Sequence, residues 1–399
     1  MGAQHNLPRN VAALGVVSLL MGISSTMVLS LLPGFLVQVL GASALWVGTI
    51  EGTAESTASV TKILSGAMSD WIGRRKPLVV LGYGLSAFVK LAFPLAQAAP
   101  HVLIARVIDR IGKGVRDAPR DAFVADITER GMRGMGFGLR HALFSLGAVL
   151  GPLTAIGLMT LTGDNFRAVY WAATLPGFLA LAVLVWRVGE PPSNSLAQHR
   201  KTRFEFRALR QLPQQYWHIV AFASVISLAR FGQVFLLLKA VSVGVDAAWV
   251  PLVLVAVNSA YATTSLPFGI LADRLGRRLL LGIGALTLFA AEVALAFSGT
   301  LSGTLVGAVL WGLQMGVMQA LFGAIIADTV PEELRGTAFG LFDLATGVVV
   351  LIASVLAGAL WVAGGALLTF GTGAVLSVVA LMILIIRHRR RANPASVAD

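Results

Sequence analysis

The chain has 399 residues, 56% of them hydrophobic and 13% charged, with a mean hydropathy of +0.80; a soluble globular domain does not have this balance. It contains no cysteine, which excludes disulfides, thiol catalysis and cysteine-based metal sites. The formal net charge of +12 would suit nucleic acid in a soluble protein, but the cations gather in loops between apolar runs, so topology is their expected role and nucleic acid is not an expected partner.

Apolar stretches of about 20 residues recur along the whole length, each able to cross roughly 30 Å of hydrocarbon. Lipid offers no partner to backbone polar groups, so an all-α integral membrane protein is expected. Twelve transmembrane helices are predicted, at 11–40, 46–66, 76–98, 100–126, 134–162, 166–187, 216–243, 247–271, 277–299, 301–327, 336–363 and 365–387. The first ten residues are polar and the first apolar run is too long for a signal core, so no cleavable signal is expected. Basic residues, including Arg74, Arg75, Lys76, Arg130, Arg133, Arg200 to Arg210, Arg274, Arg277, Arg278, Arg335 and Arg387 to Arg391, follow even-numbered helices, while the loops after odd-numbered ones hold only Arg167. This asymmetry places both termini in the cytoplasm. A linker opening with Glu190-Pro191-Pro192-Ser193 divides the chain into a bundle of six helices at 1–187, a cytoplasmic linker at 188–215, a second six-helix bundle at 216–390 and a tail at 391–399.

The halves echo each other. Gly66-Ala67-Met68-Ser69-Asp70-Trp71-Ile72-Gly73-Arg74-Arg75 returns 203 residues later as Gly269-Ile270-Leu271-Ala272-Asp273-Arg274-Leu275-Gly276-Arg277-Arg278. Ala125-Asp126 returns as Ala327-Asp328 at an offset of 202. A repeated architecture in a membrane chain points to a transporter. Gly66 and Gly269 permit close helix packing, and Gly73 and Gly276 suit tight turns. Asp70 and Asp273 end their helices beside Arg74, Arg75, Arg274, Arg277 and Arg278, an arrangement expected to make and break ion pairs as a gate.

The paired loop signatures resemble those of the major facilitator superfamily over essentially the whole chain. Arg106-x-x-Asp109-x-x-Gly112-x-Gly114 in the fourth helix looks like a pattern of that superfamily. Gly147-x-x-x-Gly151-Pro152 in the fifth resembles the helix-packing motif associated with its antiporters. The run Arg110 to Ala122, with Lys113, Gly114, Arg116, Pro119, Arg120 and Asp121, is similar to a large set of bacterial permeases. The resemblance implies two pseudo-symmetric six-helix bundles, alternating access, a bacterial inner membrane and export of solute against protons.

The fourth helix is the expected chemical centre. Charge at membrane depth is tolerated only towards a bundle interior or water. At helical spacing, Arg106, Arg110, Lys113 and Asp117 form one stripe, and Asp109, Arg116 and Arg120 another. Counted from the outer surface, Glu51 matches Arg106 in depth, Glu55 matches Arg110 and Lys62 matches Asp117. These pairs read either as structural zips or as a site whose carboxylates exchange partners. Glu51, Glu55 and Asp109 are the proton-coupling candidates. Arg106, Arg110, Lys113 and Arg116, with Arg230 and Lys239 of the seventh helix and Gln314 of the tenth, are the substrate-binding candidates. Guanidinium groups hold carboxylate or phosphate in bidentate fashion, which favours a small anion.

No nucleotide-binding loop occurs, so the expected energy source is a proton gradient, with no cofactor, no metal site and no catalytic residue. The expected partners are a small-molecule substrate, protons and lipid, and the expected state is a monomer. Two alternatives stand beside a transporter of small anions. One is an exporter of drugs or amphiphiles; the other, in a different class, is an intramembrane phosphotransfer enzyme, which lacks its Asp-Gly-x-x-Ala-Arg pattern here.

Overall fold

A computed structural model describes residues 9–72, 74–128, 133–189, 212–331 and 334–392, and every regular element among them is helical. In the first half these are α1 (Arg9–Gly34), α2 (Ala44–Ile72), α3 (Lys76–Val89), the short α4 (Ala92–Leu95), α5 (Ala99–Ile127), α6 (Arg133–Thr162) and α7 (Phe166–Arg187). In the second they are α8 (Gln214–Ala229), α9 (Val234–Ser242), α10 (Leu252–Leu275), α11 (Arg277–Phe297), α12 (Leu301–Thr329) and α13 (Arg335–Ala392). Nine stretches among the described residues are long and apolar enough to cross a bilayer. The last, Ala338–Ile385, makes two crossings, because the helix bends where Gly364 and Gly365 leave helical geometry, Gly365 at φ +63°. The more polar α2 and α5, 29 residues each, complete the twelve expected helices.

Two of those helices are not continuous. The expected helix 76–98 is interrupted at Lys90 and Leu91, between α3 and α4. The expected helix 216–243 breaks between Ala229 and Val234, where Arg230 caps α8 with φ −88° and ψ 89°. Gly232 lies within that break, and glycine is a poor helix former for the backbone freedom it gives up.

Packing divides the chain into two compact units, Met1–Arg203 with Asp246–Val255, and Phe204–Val245 with Ala256–Asp399. In the first, α1 packs on α6 and α7, and α5 on α2 and α3; in the second, α11 packs on α12 and α13, and α8 on α13. Small residues set these approaches. A Cβ at Gly147 of α6 would run into the Leu19 carbonyl of α1, and one at Gly151 into the Thr26 hydroxyl. Buried serines of α1 turn to backbone carbonyls, Ser18 to Leu14 at 2.9 Å and Ser24 to Ala173 of α7 at 2.6 Å, as an apolar solvent requires.

The repeat holds at the level of single contacts. A Cβ at Gly82 of α3 would stand 2.7 Å from Arg116 Cβ of α5, and one at Gly284 of α11 would stand 2.5 Å from Met318 of α12. Gly114 of α5 likewise faces Thr61 of α2, and Gly316 of α12 faces Thr264 of α10. Corresponding residues differ by 202 or 203 in number.

Candidate functional site

Among the described residues, each loop signature sends an arginine to a carboxylate of its own unit. Arg75, buried, reaches Asp126 at the end of α5 at 3.4 Å and donates to Ser69 Oγ at 2.6 Å. In the other unit Arg277 pairs with Asp328 at the end of α12. The carboxylates of the shorter echo are thus partners of signature arginines, a connection visible in the shared offset but absent from the motif-by-motif reading. A Cβ at Gly66 would meet Ala118 of α5 at an ordinary 3.5 Å, so the close packing expected there does not itself require glycine; Arg74 is exposed and Gly276 turns at φ +81°. Gly73, and the side-chain surroundings of Asp70, Gly269, Asp273, Arg274 and Arg278, lie outside the described residues.

The two stripes of α5 face two different helices. The first meets α2, as the depth count predicts: Arg106 Nη2 to Glu51 Oε2 at 2.6 Å, Arg110 Nη1 to Glu55 Oε1 at 3.1 Å, and Lys113 Nζ to Glu55 Oε2 at 3.9 Å. Lys62 lies within electrostatic reach of Asp117. The second stripe meets α3. Asp109 receives Lys90 at 3.8 Å, and Arg116 donates to Ser86 Oγ at 2.8 Å with its guanidinium 4.5 Å from the centre of the Tyr83 ring. Arg120 reaches Asp117 at 3.0 Å and Asp121 at 3.1 Å, and Arg140 of α6 approaches Asp121 at 3.5 Å. Glycines make this closeness possible, with Gly112 against Ser86 and Gly114 against the Ala58 carbonyl.

Among the described residues this ladder joins eight cations (Arg75, Lys90, Arg106, Arg110, Lys113, Arg116, Arg120, Arg140) to six carboxylates (Glu51, Glu55, Asp109, Asp117, Asp121, Asp126). Glu51 and Arg106 are sealed, while Glu55 and Lys113 each keep about a third of their side-chain surface open. Arg106, Arg110 and Arg116 each keep an Nε without a hydrogen-bond acceptor. Lys90 and Arg140 are members that sequence reasoning missed; the signal of Lys90 was a lone cation within an apolar stretch of the third helix.

The second unit carries fewer charges. The Arg230 guanidinium, at the break between α8 and α9, lies 5.4 Å from the centre of the Trp311 ring of α12. Gln233 Nε2 approaches Met315 Sδ at 3.4 Å. Lys239 is buried within α9. Gln314 is fully buried, with neither amide atom hydrogen-bonded among the described residues. Trp311 and Gln233 therefore join Arg230 around the break, whereas Lys239 lies about one and a half turns into α9.

Twelve helices in two repeats, a charged ladder inside one of them and no nucleotide loop define a membrane carrier. The sequence profile of the Major Facilitator Superfamily matches residues 14–257 and 219–399. The chain belongs to that superfamily, and it is a multi-pass secondary transporter, not an enzyme. It is 31% identical to an MFS-type transporter of Methanocaldococcus jannaschii over 388 residues, 96% of this chain and 95% of the relative. It is 27% identical to a probable 4-methylmuconolactone transporter of Cupriavidus pinatubonensis, covering 76% and 70% of the two chains. In fold it resembles a bacterial homologue of the human lysosomal transporter Spinster, solved facing inward and occupied, with a TM-score of 0.77 at 15% identity over 95% and 96% of the chains.

Proposed function

We propose that this chain moves a small organic anion across a bacterial inner membrane by alternating access, coupled to protons, as a monomer with cytoplasmic termini. One observation carries the reading: Glu55 is shared between Arg110 at 3.1 Å and Lys113 at 3.9 Å, at a point where the Glu55 and Lys113 side chains are each about a third open. Protonating Glu55 removes the counter-charge of Lys113 and the nearer of the two carboxylates beside Arg110, leaving Asp109 at 3.9 Å. An entering carboxylate or phosphate then replaces the Glu55 charge, accepting from a guanidinium fork in bidentate geometry. Glu51 and Asp109 hold Arg106 and Lys90 behind this point, so they fix the cations rather than meet solute. Arg230, with Gln233 and Gln314, supplies polar groups in the other repeat. The Cupriavidus relative, described as carrying a small organic solute, supports the same cargo class.

In this scheme proton and anion bind together. Exchange export, the sense implied by the resemblance of the fifth helix to antiporters, requires instead that the anion expel the proton. Proton uptake or release on mixing detergent-purified protein with anion in weak buffer separates the two: uptake means co-binding, release means exchange.

The cargo class is tested by thermal unfolding of the purified full chain against charge-sorted metabolites, since ligand bound to the native state raises the melting temperature. Carboxylates or phosphates should stabilise the protein, and Arg110→Ala should abolish the effect. Stabilisation by neutral or cationic amphiphiles alone would replace the anion reading with that of a drug exporter.

A further inference from the structure

The equivalence that sets Gly284 and Met318 where Gly82 and Arg116 stand also sets Glu292 of α11 at the position of Lys90, 202 residues on, and Trp311 at that of Asp109. Lys90 has its counter-charge in Asp109, 3.8 Å away. Glu292 has none. It is fully buried, and neither carboxyl oxygen has a hydrogen-bond partner among the described residues.

Its position is specific. The carboxyl group rests against Gly373 of α13, where a Cβ would stand 2.8 Å from the carboxyl carbon and from Oε2, and 2.9 Å from the carbonyl oxygen of Ala229. Ala229 is the last residue of α8 before the helix breaks. The acid, a glycine that makes room for it and a helix end therefore meet at one place. Charged groups of the surrounding elements turn elsewhere. Arg230 faces Trp311, Arg277 pairs with Asp328, and Asp343 and His218 have interactions of their own. Among the described residues no charged group of α8, α9, α12 or α13, Lys239 included, forms an ion pair with Glu292.

A carboxylate without a partner, set near a carbonyl oxygen in an apolar interior, is the form such a site tolerates least. We propose that Glu292 is a protonation site of the second repeat, neutral in this conformation and ionised when the α8–α9 break moves off its carboxyl. The carboxyl O–H bond then breaks, its proton passes to an entering water, and the carboxylate stays behind in a wetted site. The break is the natural moving part, because backbone outside a helix absorbs changes of φ and ψ. This deepens the proton-coupled reading, and its role in coupling rests on that reading; the protonation itself does not.

Infrared difference spectroscopy on the full chain in detergent, stepped through pH in H2O and D2O, tests the site without any cargo. Wild type should show the C=O stretch of a buried protonated carboxyl that shifts in D2O, vanishes at high pH and is missing from Glu292→Gln. Gly373→Ala, which presses a methyl on the carboxyl, should move the band or the pH at which it disappears. A band of full size in Glu292→Gln, or no such band in wild type, overturns the proposal. If Glu292→Gln does not fold, an unmoved band in Gly373→Ala overturns it instead. Proteoliposomes loaded with pyranine separate this inference from the reading beneath it, using the anion found by thermal unfolding. A Glu292 band without cargo-dependent proton movement upholds the site and sinks the coupling; proton movement undiminished in Glu292→Gln sinks the site's part in it.

Discussion

Helix α5 and its counterpart α12 keep the same glycine contacts while sharing almost none of their chemistry. At an offset of 202, Arg106, Arg110, Lys113 and Arg116 correspond to Ala308, Gly312, Met315 and Met318. At 203, Glu51 and Glu55 of α2 correspond to Leu254 and Asn258 of α10. Gly82 and Gly114 pack against Arg116 and Thr61 as Gly284 and Gly316 pack against Met318 and Thr264. One helix thus docks through an ionic ladder and the other through apolar side chains, on one plan. The ladder is therefore not what the fold requires. Buried ion pairs seldom stabilise more than the apolar residues that could replace them, so their presence on one side only, among the described residues, is consistent with the proposed work with solute and protons.

Three experiments bear on that contrast. The largest effect is expected from Arg106→Ala, which leaves Glu51 sealed without its 2.6 Å partner and should destabilise the protein by about 3–5 kcal/mol in chemical unfolding. A loss below about 1 kcal/mol would mean that the ladder is not a set of mutually dependent charges. Next come Gly114→Ala and Gly316→Ala, each forcing a methyl into a threonine of the facing helix. Both should cost about 1–3 kcal/mol by overpacking, and by similar amounts. Unequal losses would break the claim that the two repeats share a packing plan. Smallest is Arg277→Ala, whose pair with Asp328 is substantially exposed and should contribute under about 1 kcal/mol to stability. Arg75→Ala, which removes the sealed partner of Asp126, should lose clearly more in the same unfolding measurement.

The architecture was readable because hydropathy, loop cations and two offsets all report on helix number and order. The α2–α5 pairs Glu51–Arg106 and Glu55–Arg110 were readable too, since depth along two straight helices can be counted at 1.5 Å per residue. Interruptions were less so. The break at 230–233 carries no proline, and hydropathy averages over four residues; the interruption at Lys90 did have a signal in Pro94, which cannot bond the carbonyl four residues back. Lys90 escaped notice because single cations near helix ends commonly serve as anchors. Glu292 is one carboxylate in an apolar helix by sequence; its meaning comes from the contacts of Gly373 and Ala229, which no one-dimensional spacing displays.

The charge of α5 also bears on how the chain is made. Its nine ionisable residues, Arg106 through Asp126, each oppose transfer into lipid by up to about 2.5–3.5 kcal/mol at a helix centre. No such segment can partition out of a translocon on its own hydrophobicity. Its counter-charges on α2 and α3 emerge from the ribosome earlier, so those helices must wait, still sheltered from lipid, until α5 joins them. Membrane entry of this half is thus a joint event of three helices, whereas α12, whose described residues hold a lone charged group, Asp328, near its end, can enter alone.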